Sequence, residues 1–342
     1  MRIFECDDSQ RELWNQFVCE CQEGSFYHRY EWRDINAACF GHRSVYLAAE
    51  DNGRLVGVFP LVQLKSRLFG NIACSMPFVN YGGPCADNDE VRAALLDEAG
   101  LVIARWNVRY LEMRNRRDLG AAYPSSEHKV SMTVELDPDP EKLWNAFKTG
   151  HRQDIRKGIK NGFVAKFGGL DLLDDFYTLL SESWRDLGTP IYAKSYFEKI
   201  LRVFGADARI CVVYKESEPV AAAFDGLHGR TVEGMWLAQR MAFRNQNVGY
   251  VLYWELIKDA CEAKFEHFHL GRSTAQSGGE TFKKKWNAQA MQLYWQYMLR
   301  QVDTVPALNP NNPKYKFAIE AWRRLPIGVT QMVGPSIARS IP

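Results

Sequence analysis

The sequence predicts an α/β protein built from a duplicated module. Three observations predict it. A pair of strands joined by a tight turn occurs twice, each pair is followed by a loop and a helix, and each helix leads into a further short strand. A repeated order of elements is the sequence signature of a duplicated unit. The alternative is one mixed sheet with a fortuitous internal similarity, and the shared order of elements argues against it.

The composition is that of a folded globular protein. At 342 residues the chain is longer than one typical core, which favours one large or two medium domains. Hydrophobic residues at 46% and aromatic residues at 13% exclude a disordered chain. The formal net charge of +2 argues against a surface made to coat nucleic acid, although local basic patches are compatible with it.

Cysteine usage and the first residues favour a cytoplasmic protein. The eight cysteines include no Cys-x-x-Cys pair and no Cys/His spacing suited to zinc, so we expect reduced, structural thiols. The chain starts without the apolar core of a signal peptide, and no apolar run is long enough to span a bilayer. We therefore expect a cytoplasmic location, with the inner face of the membrane as an open alternative.

The first copy of the module begins with a hairpin. Residues 45–49 and 55–64 are the strands, and Glu-Asp-Asn-Gly at 50–53 is the turn. Asp, Asn and Gly between two β-rich runs are typical of hairpin turns. The loop, helix and strand that follow lie at residues 80–84, 89–106 and 110–114.

The second copy repeats this order. Strands are predicted at 209–214 and 219–227, with the turn Lys-Glu-Ser-Glu at 215–218. The corresponding loop, helix and strand lie at residues 244–249, 250–263 and 265–270. The repetition predicts that the two halves have the same fold.

A basic helix is predicted between the halves. Asp-Pro-Asp-Pro at 137–140 is typical of a linker and a helix start. The helix over 141–161 has one apolar stripe, and its other faces carry Arg and Lys side chains, including Arg152 and Arg156. Such faces are usually just solvated. The alternative is a surface for an anionic ligand, since Arg forks suit phosphate and carboxylate.

The most informative segment follows the last strand of the second copy. Leu-Gly-Arg-Ser at 270–273 and Gly-Gly at 278–279 predict a turn that delivers three lysines beside two aromatics, in Phe-Lys-Lys-Lys-Trp at 282–286. Clustered ammonium groups attract phosphate, carboxylate or a developing oxyanion. Loops at the ends of strands are where α/β proteins tend to carry function. The alternative is that the lysines only solvate a loop.

Two segments resemble motifs of FemAB-like proteins. Residues 151–162 (His-Arg-Gln-Asp-Ile-Arg-Lys-Gly-Ile-Lys-Asn-Gly) are similar to the Arg-rich helix that opens the second domain of that family. Leu-Gly-Arg-Ser at 270–273 with Gly279, followed by 282–286, is similar to its late motif. The resemblance runs from the first hairpin to about residue 300 and is specific only through the combination of the two motifs.

The resemblance implies two tandem lobes of the GNAT acyltransferase type. Each lobe would be a mixed, mostly antiparallel sheet flanked by helices, in agreement with the duplication. The implied domains are 1–136 and 141–305, the latter carrying the basic helix and the late motif, with a C-terminal extension at 306–342.

Within this family the chain most resembles proteins encoded with bacterial exosortase (PEP-CTERM) and exopolysaccharide systems. Asn-Pro-Lys-Tyr-Lys at 312–316 and Ala-Trp-Arg-Arg-Leu-Pro at 321–326 are similar to their C-terminal extension. The resemblance implies an acyl or aminoacyl transferase that forms an amide on an amine of a cell-surface polymer or of a peptidoglycan or exopolysaccharide precursor. The donor would be an acyl-coenzyme A or an aminoacyl-tRNA. The lack of a long coiled-coil insertion argues against transfer-RNA dependence.

Two catalytic residues are predicted. By resemblance, Lys283 matches the lysine after the aromatic of the late motif, and it would stabilise an oxyanion or neutralise a donor phosphate. Glu233 lies on the strand before the second glycine-bearing loop and is a candidate general base; a solvent-facing or salt-bridged glutamate is the alternative. Trp236 on that strand is a candidate substrate contact.

Further residues are assigned to substrate and donor binding. Arg272 would hold an anionic group of the acceptor or form a structural salt bridge, and Ser273 would orient substrate or cap a turn. Tyr81 would stack on a sugar or peptide unless its Gly-Gly-Pro loop only turns the chain. Arg152 and Arg156 would lie at the rim of the second lobe's cleft, and Lys284 beside the donor.

The loop at 244–249 (Arg-Asn-Gln-Asn-Val-Gly) precedes a helix, where unsatisfied amides and the dipole bind anions. It lies where a GNAT lobe would place its pyrophosphate loop, which assigns Arg244, Asn247 and Gly249 to the donor. Asn247 replaces the first glycine of the usual pattern, and this departure weakens a coenzyme A assignment.

No metal site is predicted, because His267 and His269 share one face of a strand without a third ligand. The tail from 314 to 342 mixes basic and apolar residues, and Pro326 and Pro335 exclude one continuous helix. It would either contact an anionic membrane that holds a lipid-linked acceptor or pack on the protein.

Two other function classes stay open. A duplicated fold can keep a cleft and lose its chemistry, which would make the chain a non-catalytic module that binds a glycan or precursor. The other is an acyl-coenzyme A-dependent N-acetyltransferase acting on a small-molecule amine.

Overall fold

A computed structural model describes residues 1–66, 70–305 and 313–341, which form two compact units. Unit 1 is Met1–Val130 with Met291–Ala307 and Arg339–Pro342, and unit 2 is Ser131–Ala290 with Leu308–Ala338. This division differs from the predicted domains, which kept everything from 141 to 305 together. The reason lies in the strand that ends at Leu299, because its residues 294–299 pair with a strand of unit 1.

The main elements of unit 1 follow the order expected for the first copy. They are β1 (Arg2–Glu5), α1 (Arg11–Glu20), α2 (Glu31–Phe40), β2 (Arg43–Asp51), β3 (Arg54–Ser66), β4 (Gly70–Cys74), β5 (Cys85–Ala86), α3 (Asp89–Arg105) and β6 (Tyr110–Asn115). Strand β7 (Ser125–Glu135) follows, and the boundary between the units falls within it.

The sheet of unit 1 is mostly antiparallel. Its order is β1-β2-β3-β4-β6, and only β4 and β6 pair in parallel. The β2–β3 turn uses Asn52 (φ 51°) and Gly53 (φ 80°), as the predicted hairpin requires. Helix α3 begins where the Asn88 side chain accepts from the Val91 amide, and it buries its apolar face on the sheet.

The remaining elements belong mainly to unit 2. They are α4 (Pro140–Ala146), α5 (Thr149–Lys160), β8 (Phe163–Gly168), α6 (Leu173–Leu187), α7 (Lys194–Phe204), β9 (Ala208–Lys215), β10 (Glu218–His228), β11 (Thr231–Gln239), α8 (Val248–Glu262), β12 (His267–Thr274), α9 (Gly278–Lys284), β13 (Gln289–Leu299), α10 (Pro313–Arg323) and α11 (Ile327–Ala338). Most of β13 is in unit 1.

The sheet of unit 2 repeats the pattern of unit 1. Its order is β8-β9-β10-β11-β12, antiparallel except for β11 and β12. In both units an antiparallel hairpin is followed by a third strand, a helix and a fourth strand parallel to the third. This confirms the predicted α/β fold, a mixed and mostly antiparallel arrangement of strands flanked by helices, with the same order of elements in both units.

The basic helix is broken in two. Phe147 adopts an extended conformation (ψ 146°) between α4 and α5, where one continuous helix was predicted. Its ring is buried and contacts Trp254 and Trp286. Burial of this ring requires the chain to turn at 147, which the charge pattern of the helix does not reveal.

The late motif also differs from the expected loop. Residues 271–273 lie within β12, and Lys283 and Lys284 lie on α9. Ser277 caps α9 by accepting a hydrogen bond from the Glu280 amide, which is why the helix starts at the two glycines themselves.

The C-terminal residues pack on unit 2. Helices α10 and α11 contact α6, with Thr330, Gly334 and Ala338 buried and the Gln331 amide donating to Ser181. Residues 306–312 of the predicted extension, including Asn312 of its motif, lie outside the described residues. Within the described ranges, no helix is both long and apolar enough to cross a membrane.

Candidate active site

The late-motif lysine lies against β12. The Lys283 ammonium donates hydrogen bonds to the main-chain oxygens of Gly271 (3.1 Å) and Arg272 (3.0 Å). Gly271 has φ 74°, a left-handed conformation unusual in a strand, which is accessible to glycine at little cost. The Leu-Gly-Arg-Ser motif therefore supplies two carbonyl oxygens to a buried cation.

Lys283 is buried and lacks a carboxylate partner. Its side chain is 9% exposed, and no Asp or Glu in the described chain forms an ion pair with it. Burial, followed by the charge of Arg272, lowers the pKa of Lys283 to about 8. An ammonium has three donors, so the two carbonyl contacts leave one N–H without a hydrogen bond among the described residues.

The next two lysines face elsewhere. Lys284 forms an ion pair with Glu280 (2.6 Å), and Lys285 donates to the Tyr250 hydroxyl (2.8 Å). At 100° per residue, positions 281, 284 and 285 share a face of α9 from which Lys283 points away. The three lysines are therefore not one cluster.

An aromatic cluster joins α5, α8 and α9. Fully buried Trp286 stacks on Tyr253 and contacts Phe147 and Phe282 edge-on. His151 lies edge-on to Trp286 with ring centroids 4.4 Å apart. The cluster fixes the position of α9, and thereby of Lys283, relative to the sheet.

His151 received no role from the sequence, although it begins the first FemAB-like motif. Both of its ring nitrogens are buried and have no hydrogen-bond partner. Burial, and then the charge of Lys285, lowers the pKa of His151 to about 4, so the ring is neutral at pH 7. His151 is distinguished only by its burial without a hydrogen-bond partner, and the sequence does not show this property.

A cavity of about 670 Å³ opens beside His151. Its lining consists of the start of α5 and the solvent side of α9: Lys148, Gly150, His151, Gln153, Asp154, Thr281, Lys284, Lys285 and Asn287. Lys283 is not in this lining, because it points from α9 toward β12. The basic side chains of the late motif thus divide between this cavity and a buried position.

The candidate base Glu233 is 1% exposed and accepts a hydrogen bond from His269 Nδ1 at 2.9 Å. The two residues face each other across the parallel β11–β12 pair. The structure thus combines the predicted Glu233 with a histidine that the sequence analysis considered only as a metal ligand. The sequence analysis did not consider that Glu233 and His269 lie opposite each other on neighbouring parallel strands.

Trp236 is placed in the core. Its ring contacts Tyr196, Phe197 and Phe224 and is 8% exposed. This corrects the expected position in a cleft. The physical reason is that α7 covers this face of β11, so the ring completes an aromatic core.

Arg272 and Ser273 lie on β12, and the main-chain oxygen of Arg272 is one of the two that hold Lys283. Arg272 is half-buried, and Ser273 is 8% exposed. The Ser273 hydroxyl lies 3.7 Å from the position of a Cβ at Gly279, so the second glycine of the turn brings α9 close to it. Lys283, Arg272 and Ser273 are therefore neighbours, as the motif implied.

The arginines of α5 have different environments. Arg156 is exposed and stacks on Trp144, with 5.2 Å between its guanidinium carbon and the ring centroid. Arg152 is half-buried, and its Nε has no hydrogen-bond partner. Lys157 and Lys160 are exposed on the same helix, which gives α5 a basic outer surface.

The predicted pyrophosphate loop is covered by α5. Asn247 has φ 65° and donates from its side chain to the Asp154 main-chain oxygen, and a Cβ at Gly158 would lie 2.9 Å from the Asn247 oxygen. Arg244 is exposed on a short 3-10 helix before it, and a Cβ at Gly249 would lie 2.8 Å from Gln239 Oε1. The asparagine that replaces glycine at position 247 therefore contributes to the packing of α5 on the start of α8.

Tyr81 lies in unit 1 and lines a cavity of about 350 Å³. Its ring is buried and contacts the Tyr27 ring edge-on. The guanidinium carbon of Arg116 lies over the Tyr81 ring, 4.9 Å from its centroid. Three further arginines line this cavity: Arg92, Arg114 and Arg117. Arg92, Arg114 and Arg117 are ion-paired with carboxylates of unit 1, so Arg116 is the lining guanidinium best suited to a carboxylate or phosphate of a ligand.

The described residues contain no group of three or more His, Cys, Asp or Glu side chains that could hold a metal ion. His267 is paired with Glu135, and His269 with Glu233.

Comparisons with known proteins agree with this architecture. Residues 147–284 match the model of the acetyltransferase (GNAT) domain. The solved structure of FemX is similar over 88% of this chain and 98% of its own, with a TM-score of 0.69 and 15% identity. A tandem GNAT protein from the clavulanic acid biosynthesis pathway is similar over 89% and 99%, with a TM-score of 0.55 and 9% identity.

A third similar structure is the C-terminal domain of a putative lysylphosphatidylglycerol synthetase from Agrobacterium fabrum. It covers 86% of this chain and 92% of its own, with a TM-score of 0.56 and 13% identity. No curated protein sequence matches the chain. The matched segment begins at the aromatic break before α5 and ends at Lys284, so it contains the first motif and the late motif up to its second lysine. Residues 147–284 therefore correspond to the acetyltransferase (GNAT) domain model, and the chain as a whole has the fold of FemX and of the tandem GNAT protein.

Proposed function

We propose that the chain is an N-acyltransferase that forms an amide on an amine of a cell-surface polymer or of its peptidoglycan or exopolysaccharide precursor. The observation that carries the proposal is the buried Lys283 ammonium, held by two carbonyl oxygens of the late motif and left with one donor. It lies in a domain of an acyltransferase family.

The reaction follows from these groups. The acceptor amine attacks the carbonyl carbon of the acyl donor, and the oxygen gains negative charge. The third N–H of Lys283 donates to this oxygen. The amine loses a proton, which we assign to the Glu233–His269 pair, and the leaving group departs as the carbonyl re-forms. Arg272 and Ser273 would hold the substrate beside Lys283.

Two donors are compatible with the proposal, an aminoacyl ester on transfer RNA and an acyl-coenzyme A, and the lack of a coiled-coil insertion argues against the first. Exposed Arg156, Lys157 and Lys160 on α5 suit a polyanion, whereas α5 covers the start of α8 where a coenzyme A pyrophosphate would bind. Acyl-coenzyme A is the donor that the GNAT fold generally uses. Arg152 and Lys284 would contact the donor in either case.

The acceptor would bind in unit 1. The arginine-lined cavity next to Tyr81 suits an acceptor with a carboxylate or phosphate group, such as a polymer precursor. The tyrosine ring would stack on its sugar or peptide part. Arg116→Ala with Arg117→Ala would weaken acceptor binding, and the same pair of changes at exposed Lys157 and Lys160 would leave it unaltered.

The tail would contact the membrane that holds a lipid-linked acceptor. Phe317 and Met332 are 77% and 75% exposed on α10 and α11. Vesicles of phosphatidylglycerol and phosphatidylethanolamine should sediment the full chain, and Phe317→Ser with Met332→Ser should reduce the bound fraction. Equal sedimentation of both proteins would remove the membrane from the proposal.

Transfer assays test the main proposal. The full chain is incubated with radiolabelled aminoacyl-tRNAs, or separately with acyl-coenzyme A compounds, and with extracted lipid-linked precursors. Transfer to an amine that is lost in Lys283→Met supports the proposal. Binding of precursor without transfer by the unaltered protein would instead favour the non-catalytic module. Transfer from coenzyme A alone would favour an acetyltransferase.

A further inference from the structure

Two cysteines of unit 1 lie in direct contact. The sulfur atoms of Cys21 and Cys85 are 2.9 Å apart, with the Cys85 thiol directed at Cys21. Cys21 ends α1, and Cys85 opens β5, 64 residues further along the chain. Cys85 is buried and Cys21 is half-buried, so a small oxidant can reach the pair through Cys21.

The backbone holds both residues in place. The Cys21 amide donates to the Phe17 oxygen, and Cys85 pairs with Val58 of β3. A disulfide bond is about 2.05 Å long, so the sulfurs need to approach by less than about 1 Å. Side-chain rotation can supply a change of this size without moving the strand.

The two thiols differ in acidity. The hydrogen bond from Cys85 lowers the pKa of Cys21 to about 7, against the effect of burial. The same contact, together with burial, raises the pKa of Cys85 well above its usual value. A thiolate is the reactive form, so Cys21 is oxidised first and Cys85 remains a thiol that can react with it.

We propose that Cys21 and Cys85 form a reversible intramolecular disulfide when the protein meets a peroxide. The Cys21 thiolate attacks one oxygen of hydrogen peroxide, which gives a sulfenic acid at Cys21 and, after protonation, one water. The Cys85 sulfur then attacks the Cys21 sulfur and expels the sulfenic oxygen as a second water. The two thiols lose two electrons and two protons in total, and the peroxide is reduced.

The bond would lie beside the arginine-lined cavity. Gln22 and Glu23 follow Cys21, Gly83 and Pro84 precede Cys85, and all four line that cavity. Glu23 is paired with Arg92 at 2.8 Å. Oxidation therefore links two segments of the cavity wall and restrains the carboxylate that holds Arg92. This modification goes beyond the proposed transfer activity and does not depend on it.

Peptide mapping of the full chain tests the proposal. The protein is treated with hydrogen peroxide, alkylated with N-ethylmaleimide and digested with trypsin without reduction. We expect residues 12–29 and 68–92 to appear as one cross-linked species, lighter by two hydrogens than the sum of the two peptides with Cys19 and Cys74 alkylated, and separated by dithiothreitol. Fragmentation spectra should place the bond between Cys21 and Cys85.

Matched variants resolve the other cysteines of these peptides, Cys19 and Cys74. Cys19→Ser and Cys74→Ser should keep the cross-link, whereas Cys21→Ser and Cys85→Ser should abolish it. Maleimide labelling of Cys21 in the reduced protein should accelerate with a midpoint near pH 7. A cross-link that survives in Cys21→Ser, oxidation only between two chains, or no cross-link in the unaltered protein would overturn the proposal.

Discussion

Lys283 Nζ lies 3.1 Å from the main-chain oxygen of Gly271, a residue twelve positions earlier that has a left-handed backbone. The relationship joins the two halves of the late motif. Gly271 can adopt the backbone conformation in which its carbonyl faces α9, and the buried Lys283 donates a hydrogen bond to that carbonyl. Four predictions follow from this site and from a second buried group of unit 2.

Removal of the Lys283 charge should abolish transfer. Lys283→Met keeps the length of the side chain and loses the donor, and we expect a fall in kcat of about 100-fold or more, the loss typical of one oxyanion donor. Lys142→Met is the matched control, because that side chain is 66% exposed on α4 and has no role in the proposed site. Circular dichroism and thermal unfolding establish that each variant folds. Unchanged kcat in a folded Lys283→Met would assign the lysine a purely structural role.

Activity should depend on the protonation of Lys283. Its pKa of about 8 lies below the usual lysine value, so the ammonium is present below pH 8 and lost above it. We therefore expect kcat to fall as the pH rises through 8, provided that the donor itself is stable there. A kcat profile between pH 6 and 9.5 measures this. Lys283→Arg should remove the decline, since a guanidinium stays charged.

Gly271→Ala should destabilise the protein. An L-residue with a side chain pays about 1–2 kcal/mol in the left-handed conformation that this position requires. Gly278→Ala is the control, because Gly278 opens α9 and a Cβ there meets nothing within 4 Å. Urea unfolding of the two variants should show a lower midpoint for Gly271→Ala alone. Equal midpoints would mean that the strand can relax at this position.

Asp225 should make stability depend on pH. It is buried in unit 2, with neither carboxylate oxygen hydrogen-bonded, 3.7 Å from Arg209 Nε. Burial raises the pKa of Asp225 to about 7, so the folded state holds a proton more tightly than the unfolded state does. Its contribution to stability is complete below about pH 4 and is lost as the pH rises through 7.

Asp225→Asn should remove this loss. We expect the free energy of unfolding of the unaltered protein, relative to the variant, to fall by about 1.4 kcal/mol per pH unit at most between pH 5 and 7. Urea unfolding at pH 5, 6, 7 and 8 measures the difference. Asp174→Asn is a control on an exposed carboxylate. Parallel pH curves for the unaltered protein and Asp225→Asn would show that Arg209 compensates the charge.

Local sequence patterns predicted much of the fold. The hairpin turns at Asn52 and at 215–218, the helix that follows each glycine-bearing loop, and the strands that end the modules all agree with the sequence analysis, because turn chemistry and hydrophobic alternation act over a few residues. The third strand of the first copy, Gly70–Cys74, was missed. It is short, and its pairing depends on residues distant in sequence.

The candidate active site, like the fold, was predicted from the sequence only where its residues are close together in the chain. Sequence brought Lys283, Arg272 and Ser273 together, since they lie within fourteen residues of one another in a single motif. It did not pair Glu233 with His269, because that pairing requires the parallel register of β11 and β12. It placed Trp236 in a cleft, because it could not show that α7 covers that strand.

The sequence by itself determined that this is a duplicated α/β protein with a basic helix and a late glycine-and-lysine motif, because the periodicities and turn residues that specify such elements are local. Tertiary structure decided which lysine is buried, which helix covers the start of α8, and that Cys21 touches Cys85. These outcomes depend on which surfaces exclude water from one another. The buried Trp286 ring fixes the position of α9. This position directs Lys283, one of three adjacent lysines, toward β12.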